Sequence, residues 1–311
     1  MGVARLHRAL TRGPATHLLA YPCTISHYPP QAMRIDDHSS AVMSAAEANR
    51  RFYHLHAPDY DETEVCIFGA VQQERFLAAV DQALAHIGPT PLALDACGGS
   101  GNAAGALSER GVVPVLVDVS PDMVELWRAK ASRLGISAET HVSAIESFLA
   151  EDPRYWDLIT FCSALHHLEH YASVVDLAAE RLAEGGVLFI MFDPTRATPQ
   201  IRLLRKCDWA LHLLFTRPAE FLTLALKASR RSSQDEDPDA YVGRLAERHA
   251  YDGIDDLALV RDLESSGLRT LAHERYVDAR LAPTRAVLRL LRRPSYFHLL
   301  VQRPVSVAID G

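Results

Sequence analysis

The sequence predicts a doubly wound α/β domain, and three observations carry that prediction. Short apolar runs alternate with helical patterns between residues 91 and 192, the signature of a parallel sheet with crossover helices. A glycine-rich turn, Cys97-Gly98-Gly99-Ser100-Gly101, directly follows the first apolar run. The alternation stops after Asp193, where a long apolar helical stretch begins.

Helical periodicity occupies residues 45–56 and 62–87. Pro91–Ala96 reads as a strand and Asn102–Arg110 as the helix after the turn. Val112–Val117 is the second strand. It feeds a helix at Pro121–Leu134 that has Ser120 as cap and proline in its first turn. Ser137–Val142 and Trp156–Cys162 are strands; Ile145–Ala150 and Ser173–Leu182 are the helices that follow them. Gly185 and Gly186 turn the chain into a fifth strand, Val187–Phe192. Four strand–helix units and a fifth strand make a doubly wound sheet. Residues 198–229 are helical and very apolar (Leu203, Leu204, Trp209, Leu213, Leu214, Phe215). A polar break at Arg230–Asp239 precedes helices near 239–249 and 255–266. Two late strands, Leu268–Val277 and Tyr296–Gln302, flank a basic helix around Thr284–Arg293.

Composition narrows the function. The 311 residues hold 32 Lys+Arg and 39 Asp+Glu, for a net charge of −7. Residues 1–35 contain four arginines and no acid, so the chain from residue 36 onward carries 28 basic and 39 acidic side chains. Such a body has no positive excess for a phosphate backbone, and no nucleic-acid partner is expected. Five scattered cysteines without a C-x-x-C predict neither a disulfide framework nor a metal site, and suit a reducing cytoplasm. Pro14, Pro22, Pro29 and Pro30 interrupt the first stretch. Residues 1–44 are therefore expected to be a poorly ordered extension, and residues 45–311 a single domain. His212, Arg217, Pro218 and Glu220 break the apolar stretch, so it does not span a membrane. It can form a lid with core, a dimer contact or a peripheral membrane contact.

Glycines let the turn bend sharply and let a ligand approach closely. Gly99-x-Gly101-x-x-Ala104 also fits a dinucleotide fingerprint, with Asp118 as the ribose-binding acid. A nicotinamide or flavin oxidoreductase is thus one reading. Against it, Asp95 lies at the end of the first strand, where a carboxylate repels a pyrophosphate and suits a cationic ammonium group. Asp118 closes the second strand and runs into Val119-Ser120-Pro121-Asp122-Met123. Leu165-His166-His167-Leu168 follows the fourth strand, and Leu182-Ala183-Glu184-Gly185-Gly186 precedes the fifth.

In that order these motifs resemble a class I S-adenosylmethionine-dependent methyltransferase, of the small-molecule branch that includes the ubiquinone and menaquinone enzymes. The segment Asn49–Asp61, with Tyr53 and Tyr60, is similar to the tyrosine-rich entry segment of that branch. The resemblance implies a Rossmann-like sheet, mostly parallel with an antiparallel last strand, and a helical lid inserted after the fifth strand at about 195–252. It implies S-adenosylmethionine as cofactor. Asp95, Ala96, Cys97, Gly99 and Gly101 then flank its methionine end. Asp118 and Val119 meet the ribose, and Met123 packs on adenine. Ser143, Ala144 and Ile145 border the adenine edge, Cys162 lies beside the site, and Tyr60 covers the methionine moiety. Cys97 stands where the family pattern has its first glycine, and Ser143 where many members have an acid.

Methyl transfer from a sulfonium needs mainly proximity and orientation, with a base only if the acceptor loses a proton. His166 and His167 are the candidates for that base. Tyr53, His166, Asp193 and Trp209 are the candidate substrate contacts. The expected acceptor is a small hydrophobic or aromatic molecule. A scaffold that binds S-adenosylmethionine without transferring its methyl group remains an alternative.

Overall fold

The computed structural model describes residues 43–57, 60–229 and 238–305. The expected N-terminal extension falls outside these apart from Met43 and Ser44, as do residues 230–237 of the polar break. Contacts divide the chain between Ser44 and Ala45, and everything below concerns the larger unit.

Four helices come first: α1 (Ala45–His56), α2 (Tyr60–Thr63), α3 (Val65–Phe68) and α4 (Ala70–Leu84). The periodicity over 62–87 is thus split, because the chain leaves helical geometry at Glu64 and at Gly69, which is extended at φ −62° and ψ 142°. Then β1 (Ala93–Ala96), α5 (Asn102–Ser108), β2 (Val115–Asp118), α6 (Pro121–Arg133), β3 (Thr140–Val142), α7 (Ile145–Glu151), β4 (Trp156–Cys162), α8 (Tyr171–Glu180) and β5 (Leu182–Pro194) alternate in the predicted order. However, β5 already begins at Leu182, so Gly185 and Gly186 lie inside it, at a register irregularity opposite Trp156–Leu158, and not in a turn before it. The apolar stretch forms α9 (Pro199–Thr216) and α10 (Pro218–Ser229). The break between them is at Arg217, φ −140° and ψ 64°. A residue before proline avoids helical geometry, while proline itself suits a first turn. α11 (Pro238–Ala246), α12 (Asp256–Ser265), β6 (Arg269–Tyr276), α13 (Ala282–Leu290) and β7 (Tyr296–Gln302) complete the chain.

The seven strands lie in the order β3-β2-β1-β4-β5-β7-β6. Neighbours among β1 to β5 pair parallel, and β7 runs antiparallel between β5 and β6. β7 is therefore the antiparallel last strand of the expected fold. Side chains alternate across the sheet. Leu94, Leu188 and Ile190 bury on one face; Ala93, Val187, Phe189 and Met191 bury on the other. β5 breaks this period at its end. The register slips between Met191 and Asp193, and Phe192 takes φ 68°. This β-bulge puts Phe192 on the same face as Met191 and turns Asp193 to the opposite face.

The late strands are tied down by a buried ion cluster. Asp256, 0% exposed at the start of α12, accepts from His273 Nε2 at 2.7 Å and from Arg275 Nε and Nη2 at 2.6 Å each. Burial pushes its carboxyl up, but the His273 and Arg275 bonds outweigh that and hold it below the ordinary value. A depressed carboxyl adds stability above its unfolded pKa, and this is lost as pH falls through the folded value. Asp256→Ala is expected to cost about 3 kcal/mol in urea unfolding at pH 7, by stranding a partly buried guanidinium. The difference from the parent protein should shrink when the measurement is repeated below the ordinary carboxylate range.

Candidate active site

Three strand tips at the carboxyl edge of the sheet end in buried acids. Asp95 closes β1 and is 0% exposed. Its Oδ2 accepts from Ala104 N at 2.9 Å and its Oδ1 from Thr160 Oγ1 at 2.8 Å. Burial raises its carboxyl to about 7, against the pull of those bonds. Asp95 thus holds the glycine turn from beneath. A Cβ at Gly98 would lie 2.8 Å from Asp95 Oδ2 and 2.7 Å from Leu116. A Cβ at Gly101, φ 85°, would lie 2.2 Å from the fully buried Trp127. Only glycine fits either position. Cys97 itself sits at φ 54°, a left-handed geometry that costs a non-glycine residue about 1 kcal/mol.

Asp118 closes β2. Its Oδ2 accepts from Gly99 N at 2.9 Å and its Oδ1 from Ser120 N at 2.8 Å. Burial raises it to about 6, opposed by these backbone bonds, so it is mostly ionised at neutral pH. Met123, on the first turn of α6, brings its Cε to 3.3 Å from a Cβ built on Gly99. Ser143 N donates to Asp118 O at 3.0 Å, and Ala144 and Ile145 follow at the start of α7. Val119 is half-buried, Ala96 is buried at the end of β1, and Cys162 ends β4 with burial holding its thiol well above the ordinary value.

Helix α1 lies across the tip of β2 and the loop after β4. Arg50 Nε donates to Val119 O at 3.2 Å, and His54 Nδ1 is 3.2 Å from Asp122. Tyr53, three residues on from Arg50, reaches the loop after β4 instead: its hydroxyl is 2.9 Å from His167 Nε2. Tyr53 and Tyr60 meet edge to face at 5.7 Å, and Tyr60 meets Phe68 at 6.1 Å. Both tyrosines pack with Met123. Asp61 bonds Ser100 Oγ at 2.6 Å and pairs with Lys130, which also donates to Ser100 O at 2.9 Å. The entry segment is thereby fastened to the glycine turn.

The two histidines divide their roles. His167 Nδ1 lies 2.8 Å from Ala246 O. A carbonyl only accepts, so Nδ1 carries the proton and Nε2 accepts from Tyr53. Burial keeps its pKa low. His167 is a neutral strut between α1 and α11. His166 Nδ1 lies 2.7 Å from Asp193 Oδ1, which also accepts His166 N at 3.0 Å. Nε2 faces Glu247 Oε2 at 3.8 Å. Burial disfavours charging His166, yet Asp193, with Glu247 and Glu64, leaves its pKa above the ordinary value. The bulge at Phe192 makes this pair, because it delivers Asp193 to the His166 side of the sheet.

Beyond Glu247, Glu64 lies 3.5 Å from Arg280 Nη2. Burial raises its carboxyl, opposed by Arg280. His166, His167 and Glu247 offer donor atoms within 4.8 Å of one another. Since His167 uses both nitrogens and His166 uses Nδ1, only His166 Nε2 and Glu247 stay open, two donors where a metal centre needs three or four. Trp209, on α9, is 38% exposed, and no described hydrogen bond joins it to the other candidates. Glu64, Asp61, Ser100, Lys130, Glu247 and Arg280 were not singled out from sequence. They meet from separate segments with no common spacing.

The residues at β1 and β2 suit S-adenosylmethionine. The Asp118 carboxylate accepts Gly99 N on one oxygen and Ser120 N on the other, and with about four acceptor sites it has capacity left for ribose hydroxyls. The turn presents backbone where a side chain would collide. A model described as a methyltransferase domain matches residues 68–228, more than half of the chain. A ubiquinone biosynthesis O-methyltransferase of Xylella fastidiosa (strain 9a5c) is 34% identical over 94 residues, 30% of this chain and 38% of that protein. A tRNA 5-carboxymethoxyuridine methyltransferase of Escherichia coli (strain K12) is 35% identical over 130 residues, 40% of this chain and 49% of that protein. The chain therefore spans less than half the length of either relative.

Among solved structures, the magnesium protoporphyrin IX methyltransferase of Synechocystis PCC 6803 superposes with a TM-score of 0.53 at 13% identity, over 85% of this chain and 100% of that one. The [4+2]-cyclase SpnF gives 0.54 at 14%, over 85% and 98%. Such identities show the fold alone. Asp118→Ala should weaken S-adenosylmethionine binding by at least about tenfold in calorimetry, the worth of one charge-assisted hydrogen bond; undiminished affinity refutes the ribose assignment. The glycine turn and the acid at each of the first two strand tips agree with the family match over residues 68–228, and this chain belongs to the methyltransferase-domain family.

Proposed function

We propose that the protein transfers a methyl group from S-adenosylmethionine to a hydroxyl of a small, apolar or aromatic acceptor, with His166 as general base. The observation that carries this is the Asp193–His166 pair at 2.7 Å, with Nε2 left open. An amine that arrives unprotonated, or a thiolate, needs no such base; a hydroxyl does. The name of the Xylella fastidiosa relative, an O-methyltransferase, supports the same reading.

When bound, the cofactor supplies a sulfonium methyl group that is open to in-line displacement. His166 Nε2 takes the acceptor O–H proton as the oxygen attacks. The Asp193 carboxylate fixes the ring tautomer and stabilises the imidazolium. Tyr53, Tyr60 and Phe68 offer aromatic edges to an aromatic acceptor, and α1 with α9 to α11 acts as the lid that keeps water out. The acidic balance of residues 36–311 favours a small acceptor over tRNA.

Because the imidazole must be neutral to act, the rate should rise with pH through a midpoint above 6.5, the ordinary histidine value. Asp193→Asn should lower both that midpoint and kcat, and His166→Gln should cut kcat by about a hundredfold or more with S-adenosylmethionine affinity kept. A panel of phenols and quinone precursors, with methylated product read by mass spectrometry, supplies the assay. Full activity in His166→Gln overturns the base assignment. Cofactor retention without any methylated product favours the binding-only alternative, and tight NAD(P)H binding without S-adenosylmethionine binding favours the oxidoreductase.

A further inference from the structure

Helix α13 does not present the solvated face that its arginines suggest. Thr284 and Leu288 point inward and are buried, whereas Val287, Leu290 and Leu291 are 43%, 83% and 54% exposed. Arg289, Arg292 and Arg293 are exposed on either side of them. Among the described residues these three arginines make no ion pair with an acid. Leu288 packs on Ile201 and Leu204 of α9. α9 also turns apolar side chains outward, with Leu203 64% and Phe215 72% exposed. Leu203, Leu211 and Leu214 recur at helical spacing on one face of α9.

Charge singles out α13. Residues 279–295 contain five arginines and no acid. α9 adds less charge: Arg202 pairs with Asp252 at 2.6 Å and Arg205 donates to Thr195 O and Ser295 O, while Asp208 is buried against the backbone of Arg280 and Leu281. The chain as a whole is at −7. Apolar side chains projecting from a helix between arginines are the pattern of a helix lying in a bilayer interface, and local positive charge on an acidic protein selects anionic headgroups. No described helix is long and apolar enough to cross a membrane, so contact is at the surface.

We propose that α13, with the outward face of α9, docks on an anionic phospholipid bilayer. Leu290 and Leu291 enter the acyl boundary, and Arg289, Arg292 and Arg293 meet the phosphates. A second copy of the chain would equally cover the leucines, but it would bring the same uncompensated arginines together. RNA would match the arginines and leave the leucines in water.

Vesicle cosedimentation of the full chain tests this, using phosphatidylcholine with and without phosphatidylglycerol. The expected result is sedimentation with the anionic vesicles, weakened by salt. Arg289→Gln should lower the partition coefficient about fivefold, as one arginine near an anionic surface contributes. Leu290→Gln with Leu291→Gln should lower it further. Both variants alter exposed side chains, and unchanged circular dichroism and S-adenosylmethionine affinity confirm their fold. The proposal is overturned if neither vesicle sediments the chain or if the variants bind as the parent does. It is equally overturned if light scattering shows a dimer that Leu290→Gln dissociates, or if the chain binds bulk tRNA through these arginines while ignoring vesicles.

Discussion

Three buried carboxylates at parallel strand tips organise this molecule. Asp95, Asp118 and Asp193 are 0%, 9% and 0% exposed, and each accepts at least one backbone N–H at the sheet edge: Asp95 from the first turn of α5, Asp118 from the glycine turn and Asp193 from the loop after β4. Removing a carboxylate from water costs several kcal/mol unless donors replace the lost hydration. Here the donors are largely backbone amides of the glycine turn, the first turn of α5 and the loops after β2 and β4. The cost of burial is therefore offset only when those loops hold one geometry. Asp95 fixes the turn after β1, Asp118 joins that turn to the tip of β2, and Asp193 fixes the loop after β4. On the proposed function, the cofactor half and the acceptor half of the site are built on the same principle.

The acids have different consequences because their surroundings differ. Asp95 has both oxygens bonded inside the protein and serves the turn. Asp118 keeps acceptor capacity at the rim of the sheet edge, which is what the proposed ribose contact uses. Asp193 spends one oxygen on a histidine and so acts through it. Its Oδ2 has no described hydrogen-bond partner.

Much of this was legible in the sequence. Alternating apolar runs are the direct trace of a sheet buried on both faces, so strands β1 to β5 and the crossover helices could be placed within a few residues. The strand-end acids stood out because a charge interrupts an apolar run where the chain leaves the sheet. What stayed hidden depends on backbone irregularity or on distance. The bulge at Phe192 has no glycine to announce it, and without it Asp193 would face away from His166. His167 looks equivalent to His166 in the sequence. It is distinguished only by Ala246 O, 79 residues away, and by Tyr53, 114 residues away. The Asp61–Ser100–Lys130 fastening joins three segments whose spacing carries no pattern. The basic helix near Thr284–Arg293 was visible as a composition. Its outward leucines emerged only once Leu288 and Thr284 defined which side faces in.

Helix α1 touches the tip of β2 through Arg50 and His54 and the loop after β4 through Tyr53. These residues fall within two turns of one helix. A short rigid rod pinned at two points cannot lift from one without loosening its grip on the other. On the proposed function the chain has one door for two rooms: any opening that frees the spent cofactor also loosens the wall beside the acceptor. Entry and exit on the two sides are in that sense a single mechanical event.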